Sequence, residues 1–333
     1  MRRSLFSALV ALAAGPSIGW AGQDTPLNTG ALFLVFPVGA QAVGMGQTGM
    51  ASGGRGEAAF WNPAGLATLA TDEFSVHSAT LVAGRSHVLG AYFPSNGIGV
   101  IGGALYLVDY GDLERTDASG NTIARIAPRN FEFLASYATA LAGSFLLGIN
   151  YKLVQFRVDC SGDCRGFPAG TGTTHALDLG GQFRVGPGGP LHIGIALRNV
   201  GFKLQVQNQA QADPLPTRLA VGALYELRLR PRDGAAEDER FDLKLAADVD
   251  SPWGQGGGGG GGESQTRFGI DIGYQQLLRV RAGYAFVQDG LNGPSVGLGI
   301  ESGSIGVDLA RAFLTNSDLE VENPTFFSFR VTF

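Results

Sequence analysis

The sequence predicts an all-β fold, a transmembrane antiparallel β-barrel of about 14 strands. Charged residues make up 16% of the chain, whereas a soluble domain usually carries about 25%, and the mean hydropathy is +0.11. Beyond the amino-terminal residues there is no apolar run of about 18 residues that would form a transmembrane helix. The apolar residues instead alternate with polar or small ones in many short segments. In lipid, a closed barrel is the structure other than a helix that satisfies its own backbone hydrogen bonds.

Residues 1–21 are predicted to be a Sec signal peptide. Arg2 and Arg3 precede an apolar stretch at residues 5–14, and the small-x-small sequence Gly19-Trp20-Ala21 follows as a cleavage site. The apolar stretch is too short to cross a bilayer as a helix. Removal of the two arginines changes the formal net charge from −5 to about −7. An acidic chain with scattered basic residues argues against nucleic acid as a partner.

Fourteen segments show the alternation of a strand with one apolar face, an even number, as single-chain bacterial barrels have. They are Phe74–Leu81, His87–Pro94, Ile98–Val108, Phe131–Tyr137, Phe145–Leu153, Leu177–Val185, Leu191–Leu197, Leu219–Leu229, Phe241–Val249, Phe268–Tyr274, Leu278–Phe286, Val296–Ile300, Ile305–Leu309 and Thr325–Phe333. The apolar member of each alternation is assigned to the lipid face. In the third segment this assignment turns Val100, Ala104 and Tyr106 toward lipid. Tyr92 and Tyr106, with other aromatic residues near strand ends, are assigned to the girdles at the two headgroup layers.

The complementary positions carry charges that are predicted to face a polar interior. These are Asp242, Lys244, Asp248, Asp250, Asp271, Arg279, Arg281, Asp308 and Arg330. On the lipid side at the bilayer midplane, an Arg or Lys would cost roughly 2–4 kcal/mol. We expect these side chains to pair across the interior rather than to line an open pore. Open, general pores are typical of larger barrels of roughly 16–18 strands.

The connections alternate between short turns and longer segments, as in outer-membrane barrels with short periplasmic turns and longer outer loops. The short set, which suits hairpins, is Ser95–Gly97, Ala142–Gly143, Gly186–Gly189, Gln275–Gln276 and Ser302–Gly303, with Pro231–Arg240 as a longer exception. The longer set is Asp109–Asn130, Asp159–Thr173, Gly201–Pro216, Ser251–Thr266 and Phe313–Pro324.

Two cysteines, Cys160 and Cys164, lie in one of the longer connections. In an exported chain, two cysteines at this spacing predict a disulfide within the loop. A metal site would need further ligands, and no His or Cys cluster accompanies the pair in the sequence, so we expect no metal.

The last segment ends in an aromatic residue after regular alternation. Phe327, Phe329, Val331 and Phe333 alternate with polar residues. This pattern resembles the insertion signal of bacterial outer-membrane barrels, with Phe329 and Phe333 as its main positions. The resemblance implies an outer-membrane location, with membrane lipid and the barrel assembly machinery as partners.

Two motifs precede the first strand: G-A-x-A-x-G-M-G at residues 39–46 and W-N-P-A-G-L at residues 61–66. Together they resemble the amino-terminal signature of the PorV/PorQ family, which is similar to the FadL long-chain fatty-acid transporters. The motif residues are Gly39, Ala40, Gly44, Met45, Gly46, Gly49, Trp61, Asn62, Pro63, Ala64 and Gly65. The resemblance implies a fourteen-stranded barrel over residues 74–333, with residues 22–73 folded inside it as a plug. A plug is physically reasonable, because wall side chains alone fill barrels of up to about eight strands.

Gly44, Gly46 and Gly49 also match the dinucleotide fingerprint G-x-G-x-x-G. That fingerprint needs a preceding strand, a following helix and a βαβ unit. The downstream chain consists of hairpins, so we expect no nucleotide and no other cofactor.

Two functions follow from the resemblance. PorV-like members receive secreted cargo proteins, which carry a carboxy-terminal signal domain, for the type IX secretion system. FadL-like members pass hydrophobic small molecules across the outer membrane, and Leu32, Phe33 and Phe36 are candidate apolar ligand contacts here. An enzyme is not expected, because no Ser–His–acid spacing stands out in the sequence. The histidines His77, His87, His175 and His192 are assigned to strand ends or to the interior.

Overall fold

The structure is a computed structural model of the chain. It describes residues 29–142, 144–165, 170–186, 188–206, 212–229, 241–253, 264–275, 277–288, 290–315 and 322–333. The predicted signal peptide and the turn at Pro231–Arg240 lie outside the described residues.

Within the described residues the chain forms fifteen β-strands. Paired strands are antiparallel, and almost all pairs are consecutive in the sequence. Their bounds are β1 Glu73–Thr80, β2 Arg85–Ser95, β3 Gly99–Asp109, β4 Leu113–Thr116, β5 Thr122–Ala142, β6 Phe145–Gly162, β7 Gly170–Arg184, β8 Leu191–Gly201, β9 Arg218–Leu229, β10 Phe241–Pro252, β11 Gln265–Tyr274, β12 Leu278–Val287, β13 Gly293–Ser302, β14 Ile305–Ala312 and β15 Thr325–Thr332.

Fourteen of these strands close into a barrel, as the described residues show. The ring closes where β1 pairs with β15, with Glu73 opposite Thr332 and Thr80 opposite Thr325. β3 pairs directly with β5, so the short strand β4 lies outside the ring. The predicted barrel of fourteen strands is therefore confirmed.

The alternation of side chains separates lipid from interior. On β13, Val296, Leu298 and Ile300 are exposed on the outer surface, and the residues between them are glycines that face inward. The apolar outer band suits lipid, while the inner face is free to carry charges. We call the end of the barrel with the short turns the inner end, and the end with the longer connections the outer end.

The predicted lipid face of β3 is wrong. Ile101 and Leu105 point outward, 53% and 56% exposed, while Val100 and Tyr106 are buried inside at 2% and 3%. Both faces of this strand are apolar, so its period-two pattern does not distinguish lipid from interior. Tyr92 is likewise buried inside the barrel and is not part of a girdle. These side chains face inward because the interior here is packed with protein rather than filled with water.

Residues 29–72, which we call the plug, precede β1 and lie against the inner face of the barrel. The plug contains a 3₁₀ helix at Leu32–Val35, short α-helices at Ala40–Gly44 and Ala58–Trp61, and a 3₁₀ helix at Pro63–Thr68. It begins near the outer end, where Gly30 N–H donates to the Pro214 carbonyl over 3.0 Å. No helix in the described part of the chain is long and apolar enough to span a membrane.

Three strands extend well past the lipid-facing band at the outer end. β5, β6 and β7 have 21, 18 and 15 residues, whereas a transmembrane strand needs about 9–11. The sequence predicts a connection at Asp109–Asn130, but β4 and the first part of β5 form a hairpin there. Charged residues in this hairpin removed the apolar alternation on which the strand assignment depended.

The Sγ atoms of Cys160 and Cys164, at the end of β6, are 2.13 Å apart in a disulfide.

Candidate functional site

The plug–wall interface brings together nearly all the motif residues. The plug glycines allow close backbone contact with the wall. Gly46 has φ +70°, and a Cβ there would overlap the Phe268 carbonyl and the Tyr284 backbone. A Cβ on Gly44 would lie 3.0 Å from the Cα of Gly297 on β13. The glycine motif is thus a surface without side chains that fits against glycines of the wall.

Asn62 joins the second motif to the barrel. Its carboxamide oxygen accepts from Ala64 N–H over 3.1 Å, while its nitrogen donates to the carbonyls of Met50 (2.7 Å) and Gly181 (3.1 Å). Pro63 follows as the first residue of the 3₁₀ helix, a position where its missing N–H costs nothing. Trp61 Nε1–H donates to the Val38 carbonyl over 2.9 Å, which ties the two halves of the plug together.

Wall side chains accept hydrogen bonds from buried backbone N–H groups of the plug. Asp248 on β10 accepts from Gly49 N–H (2.7 Å) and Met50 N–H (3.0 Å). Glu73 accepts from Gly56 N–H over 2.8 Å, and Ser328 Oγ accepts from Ala40 N–H over 2.8 Å. A buried N–H left without an acceptor costs about 1–3 kcal/mol. These contacts therefore hold the plug in a defined position.

A charged network at the inner half of the barrel holds the plug through Arg55. Its guanidinium pairs with Asp308 (2.9 Å) and with Glu301. Asp308 also pairs with Arg281, which bonds to Asp271 over 2.8 Å. The charges predicted to face the interior do so and pair there. Arg279 bonds Asp242 and Asp271, Arg330 bonds Glu301, and Lys244 bonds Glu226.

A second charged network lies toward the outer end, where the sequence predicts that Asp250 faces the interior but does not predict its partners. Asp250 on β10 accepts from Arg198 (2.6 Å), Arg218 (2.5 Å) and Arg267 (3.4 Å). Arg198 also donates to the Phe60 carbonyl of the plug over 3.1 Å. The guanidinium of Arg267 lies 5.5 Å from the centre of the Trp61 ring, within cation–π range. The only sequence signal was the place of each arginine on the polar side of its strand.

The wall from β1 to β5 contacts the plug differently. Glu73 Oε2, Ser75 Oγ, Tyr92 OH and Ser136 Oγ are buried there without a hydrogen-bond partner among the described residues. These residues occupy adjacent inward positions, since Glu73 pairs with Tyr92 and Gly102 pairs with both Tyr92 and Ser136. Buried polar atoms of this kind are usually satisfied by water or by another conformation. On this side the plug is therefore held mainly by apolar packing, with the hydrogen bond from Gly56 to Glu73 as a polar exception.

The three candidate ligand contacts do not converge on one cavity. Phe33 is fully buried, with its ring centre 5.8 Å from that of Tyr106, and Phe36 packs at the edge of the same apolar cluster. Leu32 is 43% exposed. The plug itself encloses a cavity of about 10 Å³ lined by Gln41, Thr48, Arg55, Glu57 and Trp61, among others. That volume has room for about one water.

The histidines separate between the two faces of the wall. His77 is buried inside, where its Nδ1 lies 2.8 Å from Ser328 Oγ, the same oxygen that holds the plug at Ala40. His87 and His175 are exposed on outer strand faces, beside Ser78 and Tyr151. Among the described residues, no group of three or more His, Cys, Asp or Glu is arranged to hold a metal ion.

A family model described as "Type IX secretion system protein PorV" matches residues 21–245. The match includes the plug, both motifs and the strands as far as β10. The chain belongs to the PorV family. No curated protein matches the chain at the level required for a significant relative.

Solved structures share the fold of this PorV-family protein at low sequence identity. The Ralstonia pickettii toluene transporter TbuX is 13% identical, with a TM-score of 0.61 over 90% of this chain and 100% of its own. The Pseudomonas putida toluene transporter TodX is 13% identical, with a TM-score of 0.59 over 89% and 96%. A Pseudomonas aeruginosa FadL homologue is 14% identical, with a TM-score of 0.52 over 90% and 98%. These likenesses establish a FadL-type outer-membrane barrel fold.

Proposed function

We propose that this protein handles secreted protein cargo at the outer mouth of a plugged barrel, as a non-enzymatic shuttle or scaffold of the PorV type. The observation that carries the proposal is the family match over residues 21–245, whose description names type IX secretion. The plug contacts supply the physical support. A barrel whose interior is packed and held by Asp248, Asn62 and Arg55 is better suited to work at its outer surface than to conduct solutes.

The outer surface offers a structure for such work. β4 and the outer ends of β5, β6 and β7 rise beyond the lipid-facing band, and we call this part the projecting sheet. Its outward side chains include Arg125, Arg157 and Asp159. Lipid would not accept these charges. Among the described residues, this sheet is a surface that a protein partner in the aqueous phase could reach without entering the membrane.

Site-specific photo-cross-linking in intact cells tests the proposal. A photoreactive residue in place of Ser119, at the tip of the β4–β5 hairpin, is compared with one in place of Ser302, at an inner turn. We expect Ser119 to cross-link secreted proteins that share a carboxy-terminal domain, and Ser302 to cross-link none of them. Equal cross-linking at both positions, or none at Ser119, would contradict the proposal.

Passive transport of hydrophobic small molecules is a second candidate function. It is favoured by the unpaired buried polar atoms of the β1–β5 wall, which mark the side where apolar packing predominates and Glu73 supplies a hydrogen bond to the plug. The solved structures of the same fold include proteins named as toluene transporters. Toluene uptake into vesicles of outer-membrane lipid, with and without the purified protein, tests it. Uptake that is the same in both vesicle types would remove this candidate.

A further inference from the structure

The free edge of β4 is the feature from which we draw a further inference. Among the described residues, β4 ends the row of paired strands, since it bonds to β5 on one side and to no strand on the other. The neighbouring β1–β2 hairpin stops lower on the barrel. A Cβ on Gly84 in its turn would lie 2.8 Å from the Cα of Tyr110, just before β4 begins. All four residues of β4 are exposed, and Leu113 is exposed by 54%.

The hydrogen-bond pattern shows which backbone groups of β4 are free. The Pro128 carbonyl of β5 accepts from Tyr110 N–H over 3.3 Å, so position 128 faces the β3–β4 side. In an antiparallel ladder alternate residues face alternate neighbours, so Ile126 and Ala124 face β4 as well. Their partners Leu113 and Arg115 bond to β5. The N–H and carbonyl of Glu114 therefore point to the free side.

The edge is held in place before any partner arrives. Arg115 donates to the carbonyls of Asp163 (3.1 Å) and Arg165 (3.0 Å), next to the disulfide between Cys160 and Cys164. Asp163 N–H donates in turn to the Ile123 carbonyl of β5 over 2.9 Å. A strand that is already ordered loses less conformational entropy on binding than a segment that must fold.

A second copy of this chain does not fit the edge. Two copies inserted in one membrane in the same orientation are related by an axis along the membrane normal. That axis makes both β4 strands run in the same direction with Glu114 at the same height in each. The N–H of Glu114 would then face the N–H of the other Glu114 and carbonyl would face carbonyl, instead of the staggered pairing that parallel strands need. The occupant must therefore be a segment of a different protein.

The charges and the exposed side chains of β4 indicate which kind of segment would bind. The stretch Asp112–Asp117 carries three carboxylates and one guanidinium, and the guanidinium of Arg115 is engaged with the β6–β7 connection. Arg125 of β5 lies 3.6 Å from Glu114, so the carboxylates that lack a cationic partner among the described residues are those of Asp112 and Asp117. We propose that β4 binds an extended, basic segment of a secreted protein by β-strand addition, with apolar residues of that segment over Leu113. Strand addition obtains affinity from backbone bonds and specificity from alternate side chains. This inference rests on the proposed cargo function and names how the cargo is held.

Binding of a designed peptide to the full-length, detergent-purified protein tests the inference. The probe is a fluorescein-labelled octapeptide of alternating Lys and Val, followed by fluorescence anisotropy. Glu114→Pro removes the free N–H without breaking a backbone bond between β4 and β5, together with the side-chain contacts of Glu114 to Thr122 and Arg125. Glu114→Gln keeps the N–H and an oxygen that can accept from Thr122, and removes the charge. We expect Glu114→Pro to weaken binding about five- to tenfold, the loss of about one strand hydrogen bond with its neighbour. We expect Glu114→Gln to weaken binding about threefold at most.

A second measurement does not depend on how the variants fold. The same octapeptide with an N-methyl group on every residue has no N–H on either edge, so it cannot add to a strand edge and should lose binding to the unaltered protein. Equal binding of Glu114→Pro and Glu114→Gln, or full binding of the methylated peptide, would overturn the inference. If peptide binding behaves as expected while Ser119 cross-links no secreted protein, the proposed function fails and the strand-binding edge remains. If Ser119 cross-links cargo while the two Glu114 variants bind the peptide alike, the inference alone fails.

Discussion

The glycines of the first motif act through the absence of a side chain. Gly46 combines a left-handed backbone, φ +70°, with direct contact against the wall at Phe268 and Tyr284. Gly54, in the same plug, has a similar φ of +77°, but nothing lies within 4 Å of the position of its Cβ. Both residues have a backbone conformation that favours glycine, but only Gly46 lies against the wall. A comparison of the two therefore distinguishes backbone strain from steric overlap with the wall.

Gly46→Ala should destabilise the plugged barrel more than Gly54→Ala does. Both variants place a Cβ in the left-handed region, which costs of order 1–3 kcal/mol. Gly46→Ala adds overlap with the wall backbone, about 1–3 kcal/mol more. The temperature at which the folded barrel changes its migration on gels measures the difference. Equal temperatures for the two variants would show that the wall yields and that close contact is not the reason for this glycine.

Glu57 gives the plug a predicted dependence on pH. It lies in the plug, outside the membrane-spanning strands, and burial raises its pKa from 4.5 to about 7, partly opposed by the nearby charge of Arg55. A carboxyl with a raised pKa favours the folded state while it is neutral. Its contribution is therefore complete below about pH 4.5, declines between pH 4.5 and 7, and is lost above that range.

Glu57→Gln should remove this part of the pH dependence. The measurement is the melting temperature of the plugged barrel from pH 4 to 8, because the glutamine stays neutral throughout. We expect the stability of the variant, relative to the natural protein, to rise as pH passes from about 4.5 to 7. A constant difference between the two proteins would show that Glu57 keeps an ordinary pKa inside the plug.

At the level of single elements, the disulfide belongs to the projecting sheet and not to the barrel. It joins residues four apart in sequence, Cys160 and Cys164, so the loop it closes is short and removes little entropy from the unfolded chain. The double variant Cys160→Ser with Cys164→Ser leaves no single thiol behind. We expect it to insert and close its barrel normally, with faster hydrogen exchange confined to β4 and the outer end of β6. Loss of barrel insertion would show that the projecting sheet forms early and guides assembly.

The strands were predictable where one face differs from the other. On β13 and β15 apolar residues alternate with small or polar ones, and the lipid face follows directly. On β3 both faces are apolar, because Tyr106 packs against Phe33 and Phe60 of the plug, and the pattern alone favoured the wrong side. β4 was missed because its residues are exposed to water on all sides, so neither lipid nor core imposes an alternation.

The candidate site was predictable only where it is local in sequence. The glycine and Asn-Pro motifs are contiguous, and their contacts follow from short segments. The Asp250 network depends on strand register, since Arg198 lies directly opposite Arg218, a like-charge pair that would be unfavourable alone. Only the placement of Asp250 on the next strand makes the three arginines compatible. The pattern within one segment does not show how that strand is aligned with its neighbours, so the network could not be predicted from single segments.

At the scale of the whole molecule, the plug fills the interior that the ring of strands encloses. A ring of fourteen strands is too wide for its wall side chains to fill, because about eight strands is the limit. The plug supplies the missing atoms, and the wall supplies acceptors for the plug backbone at Asp248, Glu73 and Ser328. The barrel wall has its own complete set of strand bonds, so the ring does not need the plug for its backbone pairing.

Deletion of residues 39–56 should therefore leave a closed barrel that leaks. Without this stretch the carboxylates of Asp248, Glu73 and Asp308 lose their plug partners and face water, and the space between opposite walls becomes continuous. We expect the conductance of planar bilayers and the uptake of small sugars to rise at least about tenfold, because a barrel of this width without its plug encloses an aqueous lumen. Gly54→Ala serves as the control, since it alters the same segment without contacting the wall. A deletion variant that is correctly folded, shown by its migration on gels before and after heating, and that conducts no more than the control would show that other residues close the lumen. The plug would then be a scaffold for the outer surface and not the barrier.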